Sequence, residues 1–386
     1  GLIAATGLLH VAGVAAGSAA LRLDRPLLAR AAGAVIFGLT TASEFGGVNF
    51  TRTKLNGTTR NPWDENRTPG GSSGGASAAV AGGLVTLASA GDGGGSIRIP
   101  ASFTGLPGLK NTYGRIPKAP RSPIGGLTGV TGCLSRSVRD IARFLDATNG
   151  VDARDPFSLP RVEGWEAALG TQSLQGLRVA IIPEFGGAVV DPAVLDLVIS
   201  AGEQLVVEAG MTRVDATVSL PSMGFAWAMS GSAPILMELG DRWPECGPDL
   251  TPQIKFLLDV ALPRYDLRGR AEIEQRRVAL NEAMANLFEQ ADIVITPTCP
   301  DVAFGAETGF PTEVDGRSVD ASNSGALTIP ANTYGNPAMS VPVGQARGLP
   351  VGMQIMARHH QEALLLDLAA LVERERPWPL TAAAPR

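Results

Sequence analysis

Apolar and polar positions along the chain follow two rhythms. Short unbroken apolar runs closed by Gly, Pro or Asp alternate with longer stretches whose apolar residues recur every three or four positions, the signatures of buried strands and of amphipathic helices. Strand-type runs occupy 36–39, 84–88, 176–183 and 292–297, the last two ending on Pro183 and Pro297. Helical periodicity covers 27–35, with Leu27, Leu28, Ala31, Ala32 and Val35 on one face, and returns at 137–150, 192–209, 224–239, 251–262, 266–290 and 361–375. A small-residue helix is predicted over 76–81, a loop-rich passage over 117–132, and a hairpin-like passage around 339–342 and 353–356. Strands alternating with helices predict an α/β sandwich.

Composition sharpens this picture at a few points. With 386 residues, 45% of them hydrophobic, the chain is long enough for one large α/β domain. Its 47 glycines and 28 prolines are dispersed through apolar sequence, so they read as turns rather than a disordered tract. A net charge of −5 without a basic cluster argues against nucleic acid as a main partner. Cys133, Cys246 and Cys299 have no metal-ligand spacing and read as reduced thiols in a cytoplasmic protein without a metal or other cofactor. The apolar stretch 1–21 lacks a basic start and is interrupted by Gly7, Gly13 and Gly17, so it reads as a strand and turn of the fold rather than a leader or membrane segment.

Chemistry concentrates in two glycine-rich turns. The first, Gly70-Gly71-Ser72-Ser73-Gly74-Gly75, holds Ser72; the second, Asp92-Gly93-Gly94-Gly95-Ser96-Ile97-Arg98, holds Ser96. Glycines let a backbone approach a ligand closely and turn successive N–H groups inward, which suits a nucleophile that must also stabilise an oxyanion. A serine hydroxyl needs a neighbouring base to attack. A Ser-His-Asp triad would have to draw on His10, His359 or His360, of which the last two precede the C-terminal helix in a surface or capping position. A phosphate-binding loop would need a lysine after its glycines, and neither turn has one.

The turns and their surroundings resemble the amidase signature family of amide hydrolases. The resemblance runs through Thr59-Arg60-Asn61-Pro62-Trp63-Asp64, Arg67-Thr68-Pro69, Pro100-Ala101-Ser102-Phe103-Thr104-Gly105-Leu106-Pro107-Gly108-Leu109-Lys110 and Tyr113-Gly114-Arg115. It continues in Gly132-Cys133-Leu134-Ser135-Arg136-Ser137, Ile295-Thr296-Pro297-Thr298, Asn336-Pro337-Ala338 and Gly348-Leu349-Pro350-Val351-Gly352-Met353-Gln354, and is weakest over 151–291. It implies a single domain built on a mixed central sheet with helices on both faces. Within it 1–150 and 292–386 form the catalytic core, preceded in the family by helices absent from this sequence, and the mostly helical 151–291 shapes substrate access. It further implies that Ser96 attacks the amide carbonyl, and that Ser72, preceded at Gly71 by a cis peptide bond, relays the proton toward a lysine. The N–H groups of Gly93, Gly94, Gly95 and Ser96 form the oxyanion hole, Ser73 and Asp92 give supporting hydrogen bonds, and Arg98 acts structurally or electrostatically.

One residue departs from this pattern. Counting back from Val11-Ala12-Gly13-Val14, the family's lysine falls on Thr6 and its acidic neighbour on Gly7. Lys110 matches a structural position of the family, Lys54, Lys118 and Lys255 match no catalytic motif, and each of the four is expected as a solvated surface charge. A chain with Thr6 in the lysine slot is expected to be inactive, as a variant made to hold substrate or as a pseudoenzyme, unless residues missing there hide the true slot. The implied natural activity is cleavage of a small-molecule amide, ester or carbamate, with a hydrophobic or aryl acyl group favoured and a homodimer compatible. Two alternatives are the amidase subunit of a tRNA-dependent amidotransferase and a non-catalytic amide-binding protein. Trp227, Met229 and Met237 are candidate pocket residues in 151–291, with core packing the favoured role.

Overall fold

The computed structural model describes residues 8–12, 32–119, 121 and 126–382. Fourteen strands are found among them. In chain order they are β1 (Leu8–Ala12), β2 (Val35–Thr40), the hairpin β3–β4 (Arg52–Thr53, Gly57–Thr58), β5 (Leu87–Asp92), β6 (Gly108–Lys110), β7 (Val130–Ser135), β8 (Arg178–Ile181), β9 (Thr212–Arg213), β10 (Ile293–Pro297), the hairpin β11–β12 (Glu313–Val314, Arg317–Ser318), β13 (Ala338–Ala346) and β14 (Leu349–Ala357). The helices are α1 (Gly74–Ala81), α2 (Arg98–Thr104), α3 (Val138–Thr148), α4 (Pro192–Glu208), α5 (Gly224–Leu239), α6 (Pro252–Ala261), α7 (Leu267–Gln290), α8 (Ile329–Tyr334) and α9 (Glu362–Glu375).

Ten of the strands form one mixed sheet, in the order β2-β1-β5-β7-β6-β13-β14-β10-β8-β9. Its two flanks, β2-β1-β5 and β10-β8-β9, are parallel, and the strands between them are antiparallel. Successive side chains of a strand point to opposite faces, so a strand buried at every position is covered on both. All residues of β7, β10 and β14 are buried, which is the mark of a sheet with helices on both faces. The β13–β14 hairpin turns through Arg347 (φ 51°) and Gly348 (φ 75°), both left-handed as a two-residue hairpin of matching twist requires.

Most of the helices expected from periodicity form within a residue or two of their predicted bounds, because an apolar face packs each onto the sheet or onto a neighbouring helix. Asp191 and Ser137 cap α4 and α3 by accepting hydrogen bonds from N–H groups of the first turn. The strand expected at 84–88 is displaced. Gly82 and Gly83 close α1, Leu84 is 71% exposed, and pairing with β1 and β7 begins only at Leu87 and runs on to Asp92. Of the helix expected at 27–35, residues 27–31 lie outside the described residues, and Val35 opens β2 instead. The loop-rich passage ends early, at β7, and α2, β6 and α8 are elements that periodicity does not reveal because each is too short to show a period.

Truncating a core strand should be costly where truncating the turn is not. Ile355→Ala, at a site with no solvent exposure, is expected to lower unfolding free energy by about 2–5 kcal/mol. Leu84→Ala should change it by no more than about 0.5 kcal/mol in the same denaturant titration.

Candidate active site

β5 ends at Asp92, and the chain then turns through Gly93, Gly94, Gly95 and Ser96 into α2. The turn is built around the Asp92 carboxylate. Its Oδ1 accepts the Gly95 N–H at 2.7 Å, and its Oδ2 accepts the N–H groups of Ile97 and Arg98 at 3.2 and 3.3 Å. The Arg98 guanidinium pairs with the same carboxylate at 2.9 and 3.0 Å, with neither side chain exposed. Its remaining N–H groups go to the Thr328 carbonyl at 3.0 Å, Gln354 Oε1 at 2.6 Å and Asn332 Oδ1 at 2.5 Å. Asn332 in turn donates to the Asp92 carbonyl and to Oδ1, each at 2.9 Å. Burial alone would raise the Asp92 pKa, but the Arg98 charge and hydrogen bonds, with help from Lys110 and Asn332, hold it well below the ordinary carboxylate range.

The glycines at 94 and 95 are demanded by space. Gly95 has φ +125°, and a Cβ there would lie 2.5 Å from Thr328 Oγ1 and 2.7 Å from Ile99 Cδ1. A Cβ on Gly94 would lie 2.7 Å from Cζ2 of the Trp227 indole. The Gly94 carbonyl accepts from Thr328 Oγ1 at 2.7 Å, and the Gly93 carbonyl from Trp227 Nε1 at 2.6 Å. Of the four N–H groups expected to form the oxyanion hole, that of Gly95 is therefore taken by Asp92, because the carboxylate sits inside the turn.

The first serine turn is tied to the second. Ser73 Oγ donates to the Gly91 carbonyl of β5 at 3.3 Å, the supporting bond expected of it. The Gly71–Ser72 peptide bond is cis. The Ser72 carbonyl accepts the Ser43 N–H at 3.0 Å, and the backbone of 49–50 lies so close to Gly71 that a Cβ there would come within 2.6 Å of the Phe50 nitrogen. Gly46 lies beside the Ser72 hydroxyl, a Cβ on it falling 3.5 Å from Oγ.

A cavity of about 470 Å³ opens onto these turns and is lined by Gly46, Gly71, Gly94 and Ser96. Its far walls are apolar: Phe225 and Trp227 from α5, Ile254, Phe256, Leu257 and Val260 from α6, and Phe310. A second cavity of about 380 Å³ adjoins it, sharing Gly46, Gly47, Trp227, Ala228 and Leu257, and is lined by polar groups of Tyr113, Lys118, Arg121 and Glu238. Met237 lines this polar cavity and Trp227 lines both, whereas Met229 is packed in the core.

Thr6 lies outside the described residues. Of the four lysines, Lys54, Lys118 and Lys255 are exposed, but Lys110 is not the solvated charge expected. It is fully buried on β6 with Nζ donating to the Asn111 carbonyl at 3.2 Å, and it lines neither cavity. Burial first, then the Arg98 charge, push its pKa down to about 7 against the opposing pull of Asp92 and Glu362. The place of β6 in the middle of the sheet, not any local property of the sequence, is what takes this side chain out of water. His359 stands apart from the turns, its Nε2 2.8 Å from the Tyr334 carbonyl. Burial pushes the Cys299 thiol up to about 12 and Cys133 well above the usual value, so neither is a thiolate nucleophile. Among the described residues no helix is long and apolar enough to cross a membrane.

The sequence model of the amidase family matches residues 28–366. The chain is 32% identical over 378 residues to a glutamyl-tRNA(Gln) amidotransferase subunit of Lacticaseibacillus casei, covering 90% of this chain and 76% of that protein. Among solved structures, a bacterial aryl acylamidase of the amidase signature family superposes with a TM-score of 0.87 at 27% identity, over 96% of this chain and 83% of that one. A 6-aminohexanoate cyclic dimer hydrolase superposes with a TM-score of 0.80 at 30% identity, over 92% of this chain and 77% of that one. The chain belongs to the amidase signature family of amide-hydrolysing enzymes.

Two substitutions test the electrostatics beneath the turn. Asp92→Asn leaves the buried Arg98 charge uncompensated and should lower stability by about 3–5 kcal/mol in denaturant unfolding at neutral pH. Lys110 binds its proton less tightly folded, at about 7, than unfolded, at 10.5. Between those values the unfolded chain holds more protons, so this group makes stability rise with pH. Lys110→Met should remove that rise, read as a flatter unfolding free energy between the folded and unfolded values.

Proposed function

We propose that the protein is a serine amide hydrolase acting on substrates with a hydrophobic or aryl group, through an acyl-enzyme on Ser96. The observation that carries this reading is the apolar cavity whose floor is formed by Ser96, Gly94 and Gly71 together. In this reading Ser96 Oγ attacks the amide carbonyl and its proton passes to Ser72. The N–H groups of Gly94 and Ser96, with that of Gly93, receive the negative charge that develops on the carbonyl oxygen. Collapse expels the amine with a proton, and water then cleaves the Ser96 ester to release the acid. Asp92 and Arg98 do not touch the substrate; they hold the turn in shape. The base beyond Ser72 belongs to the slot at Thr6, and restoring a lysine there should complete the relay.

A second reading is supported by the relatives named as amidotransferase subunits. The phenylalanines and aliphatic residues around Ser96 favour a hydrophobic group over the polar side chain of glutamine.

Amine release from a panel of aryl amides, aliphatic amides, esters, carbamates and glutamine distinguishes them. Aryl or hydrophobic substrates are expected to be preferred, Thr6→Lys to raise turnover, and Ser96→Ala to lower it by about 10³-fold or more. Preference for glutamine would favour the amidotransferase reading. A Ser96→Ala protein with unchanged turnover would refute the mechanism, and turnover by neither protein would point to an amide-binding role.

A further inference from the structure

The backbone between Asp92 and Ser96 is gripped at three successive points. Asp92 takes the Gly95 N–H, Thr328 donates to the Gly94 carbonyl, and the Trp227 indole donates to the Gly93 carbonyl. Asp92 and Thr328 are buried beneath the turn. Trp227 comes from α5 and lies in the cleft itself, its ring shared between the apolar and the polar cavity.

A peptide unit is planar and trans, so its carbonyl and the following N–H point in opposite directions. Thr328 and Asp92 hold the two ends of the Gly94–Gly95 unit on opposite sides in this way. By the same geometry, fixing the Gly93 carbonyl fixes the direction of the Gly94 N–H. Glycine pairs have the widest backbone freedom of any residues, so an external grip is needed to select one orientation. The indole also occupies the space in which a side chain at 94 would stand, pressing the ring against the backbone that it orients.

We propose that Trp227 is a positioning and specificity-determining residue: its N–H aims the Gly94 N–H at the developing oxyanion, and its ring closes the apolar cavity around the substrate's hydrophobic group. The proposal rests on Ser96 being the nucleophile. It makes one side chain serve rate and recognition together. Simple packing between α5 and the turn would make a different demand, since losing it would weaken stability and binding without separating them.

The test is the rate at which fluorophosphonates label the protein, followed by intact mass. In that reaction the Ser96 Oγ–P bond forms, the P–F bond breaks, fluoride leaves and the hydroxyl proton is lost to solvent. A methyl-substituted and an aryl-substituted probe are compared on the wild type, Ser96→Ala, Trp227→Phe and Trp227→Ala. Trp227→Phe keeps a ring and loses the N–H, so its limiting rate should fall about tenfold or more for both probes while half-saturation stays within about twofold. Trp227→Ala should add a rise in half-saturation of about fivefold or more for the aryl probe alone. A wild-type limiting rate in Trp227→Phe, or parallel losses of rate and half-saturation for both probes, overturns the role of Trp227 while leaving Ser96 labelling intact. Labelling that persists in Ser96→Ala, or that is absent from both the wild type and Thr6→Lys, overturns the Ser96 reading and this one with it.

Discussion

The ion pair between Arg98 and Asp92 is the interaction on which the rest of the site depends. Two charges withdrawn wholly from water are favourable only when every donor and acceptor finds a partner. Here the guanidinium directs its N–H groups to Asp92, Thr328, Gln354 and Asn332, and the carboxylate also receives three backbone N–H groups of its own turn. The partners reach from β5 to α8 and β14, so segments far apart in the sequence are joined at the base of one serine turn. The shape of that turn is thus a property of the whole sheet.

The two serine turns meet because they share this frame. Ser73 is fastened to Gly91, one residue before Asp92, and the chain at 49–50 presses on Gly71. Such close backbone approach leaves little room for adjustment, and glycine is the residue that tolerates it. What faces the turns is of another origin: α5 and α6 supply aromatic and aliphatic walls, and the polar cavity beyond Trp227 draws on Tyr113, Lys118 and Arg121. In the proposed function the floor made by the sheet carries the reaction and the wall made by helices the selection, with Trp227 joining the two.

Much of this is legible in the sequence, and the physical reason is locality. α3 declares itself by its apolar stripe, and the serine turns by their glycines. A structural or electrostatic role for Arg98 can be read from its place beside the turn, but Gln354 and Asn332 cannot, since a link of over 230 residues leaves no local trace. Lys110 misleads for the same cause: nothing beside it in the sequence announces that β6 lies between β7 and β13. The family resemblance puts the Gly95 N–H in the oxyanion hole, and only the inward placement of the Asp92 carboxylate shows that this N–H is engaged elsewhere.

The part of the cavity wall formed by α6 and the end of α5 stands on foundations of its own, whereas Trp227 packs against the main core. Ile235, Leu239, Leu250, Ile254 and Leu258 of the α5–α6 region pack into a small cluster separate from the main core around the sheet. A substitution that reshapes this cluster disturbs local packing and leaves the ten-stranded frame and its buried ion pair untouched. The chemistry and the choice of substrate can consequently drift at different speeds. In the proposed function, one catalytic floor becomes a platform on which new specificities arise by small steps in α6 and the end of α5, each tolerable on its own.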